Sequence, residues 1–205
     1  MIVVAVTGGV ACGKSSVSQA LENELPKDRV ARLDCDAAVA ELLQDPDVLE
    51  LIREMDTMTD GGSLFQGDRL EKGALRKRAF ENSDFREKLE AVLHPRVLDR
   101  TEQFREESKS FAEMLLVEVP LLYEVAFPIV RDLDLVVAAS RETQRQRLLR
   151  DRNVESKLAE QIIGAQLPIE EKIEMGDIVV WNDCHRDVLD EQVRHLAERC
   201  LPLFN

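Results

Sequence analysis

One segment near the amino terminus constrains the fold of this 205-residue chain more than any other. Ile2–Val6 is an unbroken aliphatic run, and a run without polar alternation is typical of a central parallel strand that is covered on both faces. It leads into residues 8–15, whose sequence GGVACGKS matches the pattern G-x-x-x-x-G-K-[ST] in full. Apolar residues at helical spacing follow over Ser15–Glu24, and Pro26 ends the pattern. This order of strand, glycine-rich loop and helix predicts a phosphate-binding loop.

The residue types of this loop suit the phosphates of a nucleotide. Glycines let successive backbone N–H groups turn inward without a clash at Cβ, and the N-terminus of the helix adds its partial positive charge. We expect Lys14 to reach the β- and γ-phosphates of ATP and the Ser15 hydroxyl to bind Mg²⁺. The predicted ATP-binding residues are Gly9, Val10, Ala11, Cys12, Gly13, Lys14, Ser15, Ser16 and, for the adenine ring, Asn182. The motif alone does not separate a kinase from a GTPase or a motor ATPase.

The rest of the chain alternates strand patterns with helix patterns, which predicts an α/β fold with a five-stranded parallel sheet. The four further predicted strands are Val30–Leu33, Met114–Val119, Leu133–Ala139 and Ile178–Trp181. The stretch between the second and third of the five strands is too long for a single crossover, so we expect a helical insertion that binds substrate. Its predicted elements are helices over Ala37–Leu51, Ala74–Leu93 and Arg96–Ser108 and a polar loop over Asp56–Gly73.

Two carboxylates follow the second predicted strand. Asp34 and Asp36 lie at its carboxyl end, which is the edge of an open parallel sheet where ligands bind. Residues two apart on a strand face the same way, so both side chains can point at the site. One can organise Mg²⁺ and the other can take a proton from an acceptor hydroxyl, and chemistry alone leaves open which does which. The alternative is that one of them only caps the following helix.

Residues 141–152 contain five arginines in a chain whose formal net charge is −13. Arginine side chains stabilise the charge that develops on a transferring phosphoryl group, so we predict that Arg147 and Arg152 close over the γ-phosphate. The alternative is a solvated helix face paired with acidic neighbours, which we expect for Arg141 and Arg145. His94, followed by Pro95 between two predicted helices, is either a structural histidine or a contact for an anionic substrate.

Composition excludes several classes of protein. The chain has 40 acidic and 27 basic residues, which argues against nucleic-acid binding and against binding to anionic membranes. No apolar run approaches the length of a transmembrane helix, and the first residues lack the features of a signal peptide. The four cysteines form no C-x-x-C pair, so a zinc site and a disulfide framework are not expected, and we predict a reducing cytoplasm.

Two of the cysteines, Cys12 and Cys35, flank the predicted phosphate site. A nearby helix N-terminus lowers the pKa of a thiol, which predicts that oxidation or alkylation inhibits and that bound ATP protects. The alternative is two buried, inert thiols.

Motifs along nearly the whole chain resemble those of the dephospho-CoA kinase family, in the same order. VTGGVACGKSS resembles the family's TGGIGSGKST, LDCDAAVAELL resembles its D-x-D segment, LEAVLHPRV is similar to its His-Pro element, and VPLLYE is similar to PLLFE. Its lid pattern is matched by Gln144, Arg147, Leu148 and Arg152, and its carboxyl-terminal pattern by Gln166, Lys172, Asp177 and Asn182. The chain departs from the family in lacking an FG-containing turn over Met55–Asp68 and in carrying Lys72 where an arginine is common.

The resemblance implies a P-loop kinase core with a helical CoA-binding domain and a lid. The nucleotide-binding core then covers residues 1–36 and 112–205, with the lid at about 141–170, and the helical insertion covers 37–111. The implied reaction is ATP-dependent phosphorylation of the ribose 3′-hydroxyl of dephospho-CoA, with another P-loop nucleoside or nucleotide kinase as the alternative. A nucleotide switch, the rival from another class, is disfavoured because the chain has no N-K-x-D guanine-binding motif. Whether the chain forms a homo-oligomer stays open.

The resemblance also assigns roles to residues. The implied catalytic residues are Lys14, Asp36, Arg147 and Arg152, with Asp36 as the base. The implied substrate-binding residues are Asp34, Asp36, His94, Leu121, Leu122 and Glu124. Mg²⁺ is expected at Ser15 and Asp34.

Overall fold

The computed structural model describes residues 1–26, 28–58 and 62–200. Its helices and strands, in chain order, are β1 (Ile2–Gly8), α1 (Lys14–Glu24), β2 (Val30–Asp34), α2 (Cys35–Leu42), α3 (Pro46–Thr57), β3 (Phe65–Gln66), β4 (Arg69–Leu70), α4 (Lys72–Glu81), α5 (Ser83–Ser108), β5 (Met114–Glu118), β6 (Leu133–Ala138), α6 (Arg141–Asp151), α7 (Ser156–Gly164), α8 (Ile169–Met175), β7 (Ile178–Trp181) and α9 (Arg186–Cys200). The chain divides into two compact units. The first unit is Met1–Cys35 with the chain from Phe104 onward, and the second unit is Asp36–Gln103.

The first unit is built on a five-stranded parallel sheet with the order β2-β5-β1-β6-β7. This confirms the α/β fold with five parallel strands. Every strand of the sheet runs in the same direction, so the carboxyl ends of β1, β2 and β5 lie at one edge. That edge carries the glycine-rich loop after β1, Asp34 at the end of β2 and Glu118 at the end of β5.

The strands of the first unit are aliphatic because their side chains are buried in its core. Val4 and Val6 of β1 pack with Val17 and Leu21 of α1 and with Val193 of α9, all of them buried. Burying such a side chain contributes roughly 1.5–3 kcal/mol. Within the described residues, no helix is both long and apolar enough to cross a membrane.

The second unit has its own core, which includes Ile52, Leu64, Phe85 and Leu89. The prediction of one helix over Ala37–Leu51 is wrong, because α2 ends at Leu42 and α3 begins at Pro46. Proline weakens the interior of a helix but suits its first turn, and the Asp45 side chain caps α3 by accepting from the Asp47 N–H at 2.8 Å.

The segment predicted as a loop over Asp56–Gly73 is also partly wrong, because β3 and β4 form a short antiparallel hairpin within it. Residues 59–61 of that segment lie outside the described residues. The helix predicted over Ala74–Leu93 is interrupted at Asn82, whose side chain accepts from the Phe85 N–H at 2.9 Å and so begins α5.

Helix α5 continues through Pro95, so the prediction that His94 and Pro95 join two helices is wrong. Proline removes one hydrogen bond of a helix and weakens the turn around it. The Arg96 side chain donates to the Val92 carbonyl at 2.7 Å and satisfies an acceptor in this turn.

Candidate active site

The loop between β1 and α1 has the backbone that its two outer glycines allow. Gly8 has φ +142°, and a Cβ at this position would lie 2.0 Å from the Val137 carbonyl oxygen. Gly13 has φ +91°, which favours glycine, and a Cβ there would lie 2.4 Å from Nδ2 of Asn182. A side chain at either position would therefore displace the loop from the neighbours that hold it.

Lys14 folds back over this loop. Its Nζ donates to the carbonyl oxygens of Gly8 at 3.3 Å and Gly9 at 3.1 Å. Ser15 and Ser16, in the first turn of α1, are exposed. A lysine ammonium, a serine hydroxyl and a helix N-terminus thus lie together at the carboxyl edge of the sheet, which is the arrangement that binds phosphate groups.

Side chains from the carboxyl-terminal half of the chain hold the loop carbonyls. Arg147 of α6 donates to the carbonyl oxygens of Ala11 at 3.1 Å and Cys12 at 3.4 Å. Asn182, buried after β7, donates from Nδ2 to the Cys12 carbonyl at 2.8 Å and accepts from Arg147 on its own carbonyl at 2.8 Å. Both residues were predicted to contact ATP, and the structure brings both to the phosphate loop.

Val10 and Ala11 of the loop also contact side chains from the carboxyl-terminal half of the chain. Oε1 of Gln166 accepts from the Val10 N–H at 2.7 Å. Val10 and Ala11 pack against a small cluster that contains Leu148 of α6 and Ile163 of α7. The segment predicted as a lid therefore contacts the phosphate loop directly in this structure.

Glu118 is a further site residue, which is not among those predicted from the sequence. It is buried at the end of β5, accepts from the Ser15 hydroxyl at 2.7 Å and from Arg32 at 3.1 Å, and pairs in register with Asp34 of β2. Residues in register on parallel strands project to the same face, so the Asp34 carboxylate lies on the same face of the sheet as Glu118, which accepts from both Ser15 and Arg32. Its signal in the sequence is an acidic residue inside the run MLLVEV.

Asp36 lies on a helix and not on the strand that contains Asp34. Strand β2 ends at Asp34 and α2 begins at Cys35, so the alternation of side chains along a strand does not set the direction of Asp36. Asp36 is exposed in the first turn of α2, and His94 is half-buried within α5. Both belong to the second unit.

The arginines of α6 divide into two groups. Arg141 and Arg145 form ion pairs with Glu160 of α7 at 2.6 and 3.4 Å. Arg147 faces the phosphate loop, whereas Arg152 is exposed at the carboxyl end of α6. The pairing of α6 with α7 through Glu160 leaves Arg147 on the side of the helix that contacts the loop.

The segment after β5 contains three of the predicted substrate-binding residues. Leu121 is exposed and Leu122 is buried. Oε1 of Glu124 lies 2.6 Å from Nζ of Lys172, which is fully buried in α8, and accepts from the Leu167 N–H at 3.1 Å. Lys172 also donates to the carbonyl oxygens of Gly8 and Pro120.

A family model described as dephospho-CoA kinase matches residues 2–187. The chain belongs to the dephospho-CoA kinase family. This confirms the resemblance found in the motifs, and a member of this family is an ATP-dependent kinase that acts in coenzyme A biosynthesis.

Two curated relatives named dephospho-CoA kinase are similar over nearly the whole chain. The one from Corynebacterium jeikeium is 34% identical over 94% of this chain and 96% of its own length. The one from Fusobacterium nucleatum is 29% identical over 97% of this chain and 98% of its own length. Their coverage matches the extent of the family model.

Solved structures share the fold. A crystal structure of a Thermus thermophilus protein superposes with a TM-score of 0.77 at 26% identity and covers 97% of both chains. A dephospho-CoA kinase from Campylobacter jejuni gives a TM-score of 0.61 at 21% identity over 98% of this chain and 97% of its own. The dephospho-CoA kinase fold therefore includes both units described above.

The cysteines beside the phosphate loop are buried. Cys12 is fully buried, and this burial raises the pKa of its thiol despite the nearby charge of Lys14. The expectation of a lowered pKa at Cys12 is therefore wrong, because desolvation of the thiolate outweighs the attraction of the cations. Cys35 is also buried.

Proposed function

We propose that this protein transfers the γ-phosphoryl group of ATP to the ribose 3′-hydroxyl of dephospho-CoA, which gives coenzyme A and ADP. The observation that carries the proposal is a complete phosphate loop, held by residues of α6, α8 and the β7 end, in a chain that belongs to this kinase family. The relatives named above are dephospho-CoA kinases over the same length of chain.

ATP is assigned to the loop at residues 8–15. The backbone N–H groups of the loop and Lys14 bind its phosphates, and Lys14 leaves the carbonyls of Gly8 and Gly9 to do so. In the structure Arg147 donates to the Ala11 and Cys12 carbonyls of the loop, and it leaves them when it closes over the γ-phosphate. Closure of Arg147 and Arg152 over the γ-phosphate is the catalytic role proposed for the lid.

The residues at the carboxyl edge of the sheet supply the oxygen ligands that Mg²⁺ needs. The Ser15 hydroxyl already bonds to Glu118, and Asp34 lies in register beside it, and carboxylate, hydroxyl and water oxygens are the ligands that Mg²⁺ prefers. When bound, the ion neutralises charge on the phosphates. We propose Ser15, Asp34 and Glu118 as the residues that hold it, directly or through water.

The acceptor is assigned to Asp36 and the second unit. Asp36 orients the 3′-hydroxyl and takes its proton, and the helices of the second unit provide the binding surface for dephospho-CoA, with His94 as one contact. Leu121, Leu122 and Glu124 are proposed to border the acceptor from the segment after β5. The net charge of −13 disfavours nucleic acid as a partner, and we propose that the enzyme acts on small molecules in the cytoplasm.

An acceptor panel tests this proposal. ADP release in a coupled assay is measured with dephospho-CoA, adenosine, AMP and shikimate, with Lys14→Met as the inactive control. We expect kcat/KM for dephospho-CoA to exceed that for the other acceptors by at least about 100-fold, since a site that hydrogen-bonds its substrate rejects analogues strongly. A preference for adenosine or AMP would support a different nucleoside or nucleotide kinase.

A further inference from the structure

A buried lysine in α8 links two strand ends that the active site uses. Lys172 is 0% exposed, and its ammonium group has three acceptors: the Gly8 carbonyl at 3.4 Å, the Pro120 carbonyl at 3.3 Å and Oε1 of Glu124 at 2.6 Å. An ammonium group has three protons to donate. All three are therefore used: one acceptor opens the phosphate loop, and the other two lie in the segment after β5.

The first two acceptors lie at functionally important points. Gly8 is the last residue of β1 and opens the phosphate loop, and Pro120 follows β5 two residues after Glu118. The Val119 N–H donates to the Val6 carbonyl at 2.9 Å, so the two strands are still paired where they leave the sheet. Lys172 thus fixes the exit of β1 relative to the exit of β5, and with it the Lys14 loop relative to Glu118.

The Gly8 carbonyl also accepts from a second ammonium group, that of Lys14, at 3.3 Å. If the phosphate loop binds ATP as proposed above, Lys14 must leave this carbonyl for the phosphates. A buried carbonyl that loses its partner carries a free-energy cost. Lys172 remains as a donor to Gly8, and its like charge disfavours Lys14 at the same acceptor.

We propose that Lys172 is a positioning residue for phosphoryl transfer. It holds the Gly8 and Pro120 carbonyls in their places at the carboxyl edge of the sheet, and it frees Lys14 to bind the phosphates of ATP. Glu124 balances the charge of Lys172 within the protein. Within the described residues its Oε2 is buried and has no hydrogen-bond partner, so the carboxylate is stabilised through Oε1, by Lys172 and by the Leu167 N–H. This inference rests on the proposed function of the phosphate loop.

A double variant separates positioning from stability. In Lys172→Met the Glu124 carboxylate loses its buried partner, and the variant is expected to melt at least about 5 °C lower or fail to fold. Lys172→Met with Glu124→Gln removes both charges, so no buried carboxylate is left without its ion-pair partner, and the amide oxygen can still accept from the Leu167 N–H. The matched control is the exposed pair of the same unit, Lys109→Met with Glu106→Gln.

The proposal predicts that the Lys172→Met/Glu124→Gln protein regains a melting temperature near that of the wild type but not its activity. We expect kcat/KM for ATP to fall about 100-fold, as for a misplacement of reacting groups of about 1 Å, and the ATP dissociation constant from calorimetry to rise about tenfold. The Lys109/Glu106 control should match the wild type in both. Wild-type ATP affinity in a stable double variant would overturn the proposal, because ATP binding in calorimetry does not involve the acceptor contact proposed for Glu124.

A measurement on the wild type covers the case in which the double variant does not fold. NMR of ¹⁵N-labelled lysine side chains follows the ammonium groups with and without a non-hydrolysable ATP analogue. We expect the Lys172 signal to stay protected from exchange in both states and the Lys14 signal to shift on binding. Loss of protection at Lys172 on binding would contradict the proposal. ATP affinity does not depend on the acceptor, so a wild type that binds ATP but does not phosphorylate dephospho-CoA would reject the proposed substrate and leave this comparison valid.

Discussion

The phosphate loop of the first unit and the Asp56–Arg78 pair of the second unit both depend on polar side chains, but these come from very different distances along the chain. The phosphate loop of the first unit is held by Arg147, Gln166, Lys172 and Asn182, which lie between 135 and 170 positions away from the loop residues they contact. In the second unit, Asp56 accepts from the Leu64 N–H at 2.9 Å and pairs with Arg78 at 2.6 Å, within 22 positions.

Because of this difference, we expect the phosphate loop to matter for catalysis and the Asp56–Arg78 pair to matter for the stability of its unit. Asp56, Leu64 and Arg78 all belong to the second unit, so the contacts among them form with that unit's core. The phosphate loop reaches its geometry only when the strands and helices of the carboxyl-terminal half are in place. Substitutions in the loop and its remote contacts should therefore change catalysis, whereas substitutions at Asp56 and Arg78 should change folding.

The largest expected effect is at Lys14. Lys14→Met removes the ammonium group that binds the phosphates, and we expect kcat/KM to fall by about 10³-fold, in the range for loss of one strong transition-state contact. Lys14 is only partly buried, so the melting temperature should change by no more than about 2 °C. Turnover near that of the wild type would reject the phosphate-loop assignment.

The next effect tests whether the second unit contributes chemistry as well as structure. Asp36→Asn keeps the shape of the side chain but removes its charge and basicity, so turnover should fall about 10²-fold while ATP still binds. Asp34→Asn should instead raise the Mg²⁺ concentration needed for half-maximal activity. Rescue of Asp36→Asn by Mg²⁺, with Asp34→Asn nearly inactive at every concentration, would exchange the two roles.

A smaller catalytic loss is expected at the remote contact Arg147. Arg147→Lys keeps the charge but loses the planar fork that reaches both the loop carbonyls and Asn182. We expect kcat to fall about tenfold to 100-fold, more than ATP affinity does, as steady-state kinetics and calorimetry can establish. The control is Arg141→Lys, whose side chain pairs with Glu160. Loss of ATP binding alone would contradict a role in the transition state.

In the second unit the expected loss is in stability. Arg78 and Asp56 are about nine-tenths buried, with 10% and 12% of their side chains exposed. Arg78→Met leaves the Asp56 carboxylate unpaired and should lower the free energy of unfolding by about 3 kcal/mol in urea denaturation. Arg86→Met, which removes an exposed pair with Glu90, should cost under about 0.5 kcal/mol. Equal losses of unfolding free energy in Arg78→Met and Arg86→Met would show that the Asp56–Arg78 pair does not stabilise its unit more than an exposed pair does.

The smallest expected effect is at Cys12. Burial raises the pKa of its thiol, so at pH 7.5 it stays protonated and inaccessible, and iodoacetamide should not modify it in the native protein. The exposed Cys184 should react under the same conditions, and mass spectrometry can distinguish the two. Alkylation of Cys12 that ATP prevents would instead indicate an open loop.

The sequence predicted the features that short patterns encode. Residues 8–15 and the aliphatic runs at Ile2 and Met114 identified the loop and its strands, because the constraint on each lies within a few neighbouring residues. Glu118 is not among the predicted site residues, because an acid inside an aliphatic strand gives no sign of which face it occupies until its partner strands are known. Lys172 and Gln166 matched a family pattern, but the carbonyl and N–H groups that they hold are set by the tertiary fold.

In the second unit, the breaks between the helices have local signals in the sequence. Asp45-Pro46 is a helix start, and Asn82 followed by Ser83 is another, so both breaks were present in the sequence. Pro95 is the opposite case, since α5 continues through a proline that normally ends a helix. Whether a helix continues through a proline depends on the tertiary packing around it, which no pattern of residue types indicates.

The central claim is that the phosphate loop serves transfer to one hydroxyl of dephospho-CoA. The most direct measurement incubates the protein with ATP, Mg²⁺ and dephospho-CoA and identifies the products by chromatography and ³¹P NMR. We predict that ADP and coenzyme A form in equal amounts, with the new phosphate on the ribose 3′ position, and that ADP formation nearly stops without dephospho-CoA. ADP and inorganic phosphate formed at the same rate with or without the acceptor would contradict the account.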